Sequence, residues 1–385
     1  MSSEHSPTLP AWLIVVSGIV ALAVAMGIGR FAFTPLLPLM LRDGTLTAAS
    51  GADWAAANYG GYLAGALTAS WFSANPRRGL QIALCGVALT TLAVAWFGSQ
   101  PPLAGPVLRA AAGVFSAWTL VCASSWCLGE LARRRVAHLG TWIYTGVGLG
   151  IALAGMLAWL GGRQPASWLW LELGLIASAG AVVSAFGSQP RHTAVLTKRA
   201  SPGGRTGHAA LILCYGVFGF GYIVPATFLP AMARQQVSDP LVFGLTWPLF
   251  GLAAALSVGA AARWAPHWPR RRVWALAQGV MALGTALPLA TRALWSLAAS
   301  AVLVGGTFMV ATMAGLQLAR EQVPANPTPL LARMTIAFAA GQILGPVLVR
   351  VLGPGTWFGW DAIARADAAA TLLLALTSAW LWRAE

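Results

Sequence analysis

The sequence predicts an all-α membrane protein of twelve transmembrane helices, arranged as two related six-helix halves. Three observations carry that prediction. The 385 residues are 58% hydrophobic and only 9% charged, with a mean hydropathy of +0.70, whereas soluble domains carry about 25% charged residues. Apolar runs of about 20 residues recur from end to end, each long enough to cross a hydrocarbon layer of ~30 Å as a helix; barrel strands would be alternating segments of about ten. Finally, one segment is written twice. "GIGRFAFTPLLPLM" at 27–40 and "GFGYIVPATFLPAM" at 219–232 share Gly27/Gly219, Gly29/Gly221, Leu37/Leu229, Pro38/Pro230 and Met40/Met232 at a constant shift of 192.

Taken in order, the runs place spans near 11–40, 52–73, 80–98, 103–131, 138–160 and 168–187, then 209–232, 242–263, 272–290, 294–320, 331–352 and 360–382. The first follows "MSSEHSPTLP", which has no basic stretch ahead of the apolar run and does not read as a cleaved signal peptide. The second and eighth spans each lead to a basic turn, "NPRRG" at 75–79 and "WPRRR" at 268–272. The fifth carries "GVGLG" at 146–150, whose small residues let helices approach closely. Gly146 and Gly150 recur in the eleventh as Gly341 and Gly345, a shift of 195. Between the sixth and seventh, "SQPRHTAVLTKRASPGGRTG" is polar, basic and rich in Gly and Pro, as a linker would be. The expected units are therefore residues 1–187, a linker at 188–208 and residues 209–385, a duplication in which two bundles rock about a central site.

The net charge of +14 invites a nucleic-acid partner, but its distribution points to lipid instead. Fifteen Lys and Arg fall in even-numbered connections and six in odd-numbered ones. By the positive-inside rule both termini are then cytoplasmic, and no nucleic acid is expected. Tryptophans such as Trp71, Trp96, Trp168, Trp264 and Trp357 mark expected helix ends, as in interfacial aromatic belts. Cys85, Cys122, Cys127 and Cys214 all lie in apolar runs and read as packing residues, not disulfides.

At this point the chain resembles the major facilitator superfamily over essentially its whole length. "GIGRFAFTPLLPLM" looks like the signature of its bacterial YbfB/YjiJ-like branch; Arg109 and Gly113 in "LRAAAGVF" resemble the span-4 pattern, and "GQILGP" at 341–346 the Gly- and Pro-containing motif of helices 5 and 11. The loop after span 2, "ASWFSANPRRG", keeps the basic pair but lacks the family's aspartate. The resemblance implies the major facilitator fold, alternating access, a multi-pass protein of the bacterial inner membrane, a monomer, no cofactor, and a cavity lined by helices 1, 4, 7 and 10.

Within that frame the intramembrane charges stand out, because each costs about 2.5–3.5 kcal/mol on insertion scales. Arg30 in span 1 and Arg109 in span 4 would both face the cavity. Two cations repel unless an anion lies between them, yet the central helices hold no deep carboxylate: of ten acidic residues only Glu172 and Asp367 lie within spans, in outer helices 6 and 12. The expected counter-ion is a small-molecule substrate, an organic anion such as a carboxylate, which suits the planar guanidinium fork. Competing readings have Arg30 snorkelling outward or donating to carbonyls freed by Pro35 and Pro38, and Arg109 organising helix packing or water.

Tyr222, the duplicate of Arg30, would make the site asymmetric. Tyr215, Asn58, Tyr59, Tyr62, Tyr144, Trp247 and Gln342 are further substrate-binding candidates, each also able to tie neighbouring helices together. Glu130 and Glu321, at inner helix ends beside arginines, are candidates for a gate or brace. Glu172 and Asp367, again 195 apart, are candidates for a proton relay, or for interfacial groups beside Arg163 and Arg365. Proton coupling is permitted, although all five histidines lie in termini, loops or at helix ends. No paired carboxylates, Cys pairs or Ser–His arrangement points to an enzyme. The competing transport reading is an exporter of drugs or neutral, amphipathic metabolites.

Overall fold

Twelve helices follow one another in the order of the apolar runs: α1 Ala11–Arg42, α2 Ala48–Thr68, α3 Pro76–Phe97, α4 Ala104–Arg133, α5 Thr145–Leu160, α6 Ala166–Phe186, α7 Ala209–Gln236, α8 Thr246–Trp264, α9 Arg270–Ala290, α10 Leu294–Gln322, α11 Thr328–Leu352 and α12 Ala362–Arg383. The computed structural model describes residues 10–72, 75–97, 103–186, 208–236, 244–264, 268–291, 293–323 and 328–383. The linker expected at 188–208 lies outside them except for His208. Ten of the described helices are long and apolar enough to cross a membrane; α8 adds a shorter apolar stretch, Thr246–Ala261. The remaining helix, α2, is built from Gly, Ala, Asn and Tyr, the composition of a helix that packs against protein on several sides.

Helix α1 is not regular. It is α-helical over Ala11–Leu22, π-helical over Ala23–Phe31 and α-helical again over Phe33–Arg42. A π-helix pairs i with i+5 and inserts an extra residue, so its carbonyls fall out of step with the turns that follow. Pro35 and Pro38 deepen the mismatch, because each removes an N–H that a regular helix would donate four residues back. Its duplicate, α7, contains Pro225 and Pro230 and stays α-helical from Ala209 to Gln236.

Packing repeats between the halves. In the first, α2 and α3 pack on α4, α3 on α6, and α5 on α1; in the second, α8 and α9 pack on α10, α9 on α12, and α11 on α7. A Cβ on Gly113 of α4 would lie 2.1 Å from the Asn58 carbonyl oxygen, and one on Gly305 of α10 would lie 2.4 Å from that of Phe250. Both residues of that contact are offset by the same 192 as the repeat. Glycine is required here because the backbones themselves touch.

Two seams join the halves, α5 with α8 and α2 with α11. The duplication exchanges α2 with α8 and α5 with α11, so the seams are one contact made twice about a pseudo-twofold axis. Backbones approach closely in the first: a Cβ on Gly148 would sit 2.3 Å from the Ala255 nitrogen. Near the axis, Thr34 Oγ1 donates to the Ala226 carbonyl at 2.8 Å, joining two positions that are themselves duplicates.

At the face opposite the one where α1 begins and α12 ends, Arg42 donates to the Gly162 and Gln164 carbonyls at 2.5 and 2.6 Å, and Asp43 Oδ2 accepts the Ala166 N–H at 2.7 Å. These bonds tie α1 to the start of α6. On the same face the α11–α12 connection makes a two-residue hairpin at Trp357–Trp360, with paired N–H···O bonds of 3.0 Å. Phe358 and Gly359 adopt φ of +50° and +79°, the left-handed pair that such a tight turn requires.

Candidate functional site

The π-helical stretch of α1 presents Arg30 at the meeting line of the halves. Its guanidinium is 3% exposed. Nη2 donates to Gln342 Oε1 on α11, and Gln342 Nε2 donates to the Tyr222 hydroxyl on α7. A side chain of the first half thus reaches its own duplicate through an amide of the second. Beneath the cation lies Tyr62, whose ring centroid is 3.9 Å from Arg30 Cζ. The rings of Phe31 and Tyr59 lie at 5.2 and 5.6 Å. Ring faces attract a desolvated cation by about 2 kcal/mol or more, so the aromatic cradle stabilises the charge without neutralising it. Arg30 Nε has no partner, and no carboxylate pairs with the guanidinium among the described residues.

Arg109, expected to face the same cavity, is committed elsewhere. Nη1 donates to the Gly29 carbonyl at 3.0 Å and Nη2 to the Arg30 carbonyl at 2.8 Å. Asn58 Nδ2 donates to the Arg109 carbonyl at 2.8 Å and reaches Gly29 O at 3.4 Å, while Ser116 Oγ donates to Ala25 O at 2.8 Å. These groups satisfy carbonyls that the π-helix leaves out of register, which would otherwise be buried and unpaired. The Arg109 cation rests between the rings of Phe33 and Trp170, both at 5.5 Å. It holds the segment that holds Arg30.

Around Tyr222 the second half supplies a stack of rings. Tyr222 lies between Phe308, at 5.5 Å and 8°, and Phe338, at 5.6 Å and 10°. Phe308 continues onto Phe250, and Phe250 onto Trp247 at 4.8 Å. Phe31 meets both Phe308 and Trp247 at 6.4 Å. Tyr215 lies two turns along α7, packed against Trp274 and Phe338 and bonded to Thr312. The rings Phe250, Phe308 and Phe338 had no place among the expected site residues, since phenylalanine in an apolar run gives no signal of its own.

Further toward the opposite face, Tyr59 Oη and Thr227 Oγ1 are 2.9 Å apart, Arg234 Nη1 donates to the Pro38 carbonyl at 2.7 Å, and Arg350 pairs with Asp53 at 2.8 Å. Each contact crosses between the halves, and together with Thr34–Ala226 they fasten that side. Sequence reasoning had placed Asp53 and Arg350 at helix ends without pairing them, because they are 297 residues apart.

The remaining candidates lie away from this cluster. The Tyr144 hydroxyl donates to Ser124 Oγ on α4 at 3.1 Å. Glu130 binds Arg133 and Arg134 of its own helix end, and Glu321 approaches Arg270 at 3.7 Å within the second half, so the contacts seen are braces inside each half. Glu172 is half-buried on α6. Asp367 departs from the interfacial alternative given for it: it is 1% exposed, and among the described residues neither carboxylate oxygen has a partner. Arg365, expected nearby to receive it, donates instead to the Asp361, Leu352 and Gly355 carbonyls.

Two six-helix bundles about a pseudo-twofold axis, clasping a polar cluster where they meet, define a transporter of the major facilitator fold. The chain belongs to the family described as uncharacterised MFS-type transporter YbfB, which matches it over residues 22–379. No curated protein matches it by sequence. Among solved structures it is similar to the D-xylose-proton symporter, with a TM-score of 0.74 and 14% identity over 97% of each chain. It is also similar to the nucleoside transporter NupG, with a TM-score of 0.73 and 13% identity over 97% of this chain and 99% of that one. At such identities the likeness concerns the fold alone.

Proposed function

We propose that this transporter moves a small organic anion, a carboxylate with an apolar body, by alternating access, and that Arg30 is its anchor. One observation carries the reading: a buried guanidinium at the meeting line of two bundles, braced by an amide and aromatic faces, with no acid among the described residues to neutralise it. A desolvated cation so placed attracts an anion far more strongly than in water, and the Arg fork matches a carboxylate in two bonds. Gln342 and Tyr222 can exchange their mutual bond for bonds to the ligand, and the ring stack from Phe338 to Trp247 suits an apolar or aromatic body better than a polyhydroxylated one. Because Arg30 and Gln342 belong to different halves, a ligand bridging them would couple occupancy to rocking. Tyr59–Thr227, Arg234–Pro38 and Asp53–Arg350 would close one side in the state seen here. With both termini cytoplasmic, that side is periplasmic, and the protein works as a monomer in the inner membrane.

Thermal-shift measurements on the purified protein with benzoate, other carboxylates, phosphates and lipophilic cations test this reading, repeated on Arg30→Ala. An anion that stabilises the wild type and not the variant is expected. Equal stabilisation of both would remove Arg30 from the site. The ring stack specifically favours a second reading, export of neutral amphipathic compounds, in which transport survives Arg30→Ala.

A further inference from the structure

The second half buries one acidic side chain that the Arg30 site does not use. Asp367 is on α12, which packs against α7, α9 and α11. The surface it shares with α9 is a polar seam: Thr371 Oγ1 is 2.7 Å from Thr285 Oγ1, Gln278 Nε2 donates to Thr377 Oγ1 at 2.5 Å, and Ser378 Oγ donates to the Ala275 carbonyl at 2.7 Å. Thr371, one turn from Asp367, sits against the Asp367 main-chain carbonyl at 2.9 Å, and Thr285 donates to the Ala282 carbonyl at 2.9 Å. The hydroxyl hydrogens of the seam therefore point at backbone and at one another, and none is directed to the Asp367 carboxyl, whose two oxygens have no partner among the described residues.

Charged and titratable groups on the surrounding elements are engaged elsewhere. On α7, Tyr222 accepts from Gln342, Tyr215 bonds Thr312 and Arg234 donates to Pro38; Cys214, one turn from the inner end, is buried and thiol-bearing. On α9, Arg270 approaches Glu321 and Arg271 lies over Trp380, while Arg272 lies over Trp382. On α11, Arg350 pairs with Asp53 and Arg333 lies at the far end; on α12 itself, Arg365 binds carbonyls, Asp361 accepts the Ala364 N–H and Arg383 ends the helix. None forms an ion pair with Asp367.

We propose that Asp367 is a proton-binding site of the transport cycle, carried as the neutral acid in the conformation seen here and ionised when rocking wets the α9–α12 seam. An ionised carboxylate buried without a hydrogen bond or cation is far too costly to persist. In membrane proteins, intramembrane acids are rare and mark functional sites, proton relays among them. The chemistry balances simply: the carboxylate gains an O–H bond with a proton from water on one side and gives that proton back to water on the other. A proton carried on α12 beside an anion at Arg30 would make the transported load electroneutral, a coupling that rests on the anion reading above.

Infrared spectra of the purified full-length protein in lipid, titrated with alkali, test the site without any substrate. The expected result is a carbonyl band of a protonated acid in the wild type at neutral pH, missing from Asp367→Asn and bleached by alkali. Superimposable spectra of the two proteins at every pH would overturn the proposal. So would a band bleached at constant pH by sodium, which would make the site a metal-cation site. Since Asn mimics the neutral acid in size, Asp367→Asn should fold, and its thermal unfolding checks this. The coupling is read in proteoliposomes with radiolabelled benzoate. Asp367→Asn should keep benzoate counterflow and lose accumulation driven by a pH gradient; accumulation at the wild-type level would overturn the coupling. If wild-type counterflow itself is missing, the anion reading fails while the spectra still decide Asp367.

Discussion

At three positions that the duplication superimposes, the halves carry opposite chemistry. The first half has Arg30, Asn58 and Arg109; the second, 192 residues on, has Tyr222, Phe250 and Ala301. The helices that carry them differ in the same way, π-helical at Arg30 and α-helical at Tyr222. The two differences are one. A π-helical stretch exposes carbonyls that need donors, and Arg109 and Asn58 are those donors. Where the helix stays regular, no donors are needed and the same sites fill with a ring and a methyl group. The scaffold was duplicated, and the buried cations with the Asn58 amide belong to one copy, while the second contributes Gln342 and the Tyr222 hydroxyl.

The sharpest way to break this asymmetry is to remove its charge. Arg30→Ala is expected to cost about 2–5 kcal/mol of anion binding, as truncating one partner of a buried charge pair does, or about 30-fold or more in apparent affinity. Isothermal titration with benzoate reads it, and Arg30→Lys should recover only part, since the ammonium lacks the fork. Undiminished binding by both variants would leave the asymmetry without function.

Next comes the brace. Arg109→Ala removes the bonds to the Gly29 and Arg30 carbonyls, leaving Gly29 only the long Asn58 contact, a loss of roughly 1–3 kcal/mol in stability for two bonds between membrane helices. Thermal unfolding of the purified protein should fall accordingly, whereas Ala301→Gly at the duplicate position removes no hydrogen bond and should lower it less. Equal destabilisation would mean that Arg109 serves no special role at the π-segment.

A smaller effect is expected at the second-half partner. Tyr222→Phe keeps the ring in its stack and removes the hydroxyl that Gln342 holds, costing about 0.5–1.5 kcal/mol of ligand binding if the hydroxyl takes part. A loss as large as that of Arg30→Ala would show that the two halves contribute equally after all.

The smallest belongs to the half-exposed Asp53–Arg350 pair, with side chains 47% and 50% exposed. Such pairs contribute about 0.2–1 kcal/mol. Arg350→Ala should therefore raise the rate at which a maleimide labels the buried Thr227→Cys position by about five-fold at most, and added salt should mimic it. A rate unchanged by either would remove the pair from the closure.

Much of this was legible in the chain. Apolar run lengths gave the twelve helices within a few residues, because hydrocarbon thickness sets span length directly. The offset of 192 marked the two halves, and "GVGLG" a face that lets helices approach closely, though not which helix it would meet. The repeat also paired Arg30 with Tyr222, and Gln342, which the structure places between them, was among the candidate residues. What stayed hidden was partnership. Arg109 looked like a second cavity cation because its true acceptors are backbone atoms, which have no letter in the sequence. Asp367 read equally as a proton-relay candidate or an interfacial group, because its position along α12 says nothing about which neighbours cover it.

The amino-acid order by itself thus determined what each segment is: how many helices, which stretches repeat, which side chains carry charge into an apolar interior. Local composition and periodicity suffice for that, since a lipid-spanning helix satisfies its own backbone. Only the assembled bundle decided what each charge answers to. Hydrogen bonds and desolvation act over a few ångströms between residues hundreds of positions apart, so it took the tertiary structure to make Arg109 a brace, to join Arg30 to Gln342 and Tyr222, and to bury Asp367 with no partner among the described residues.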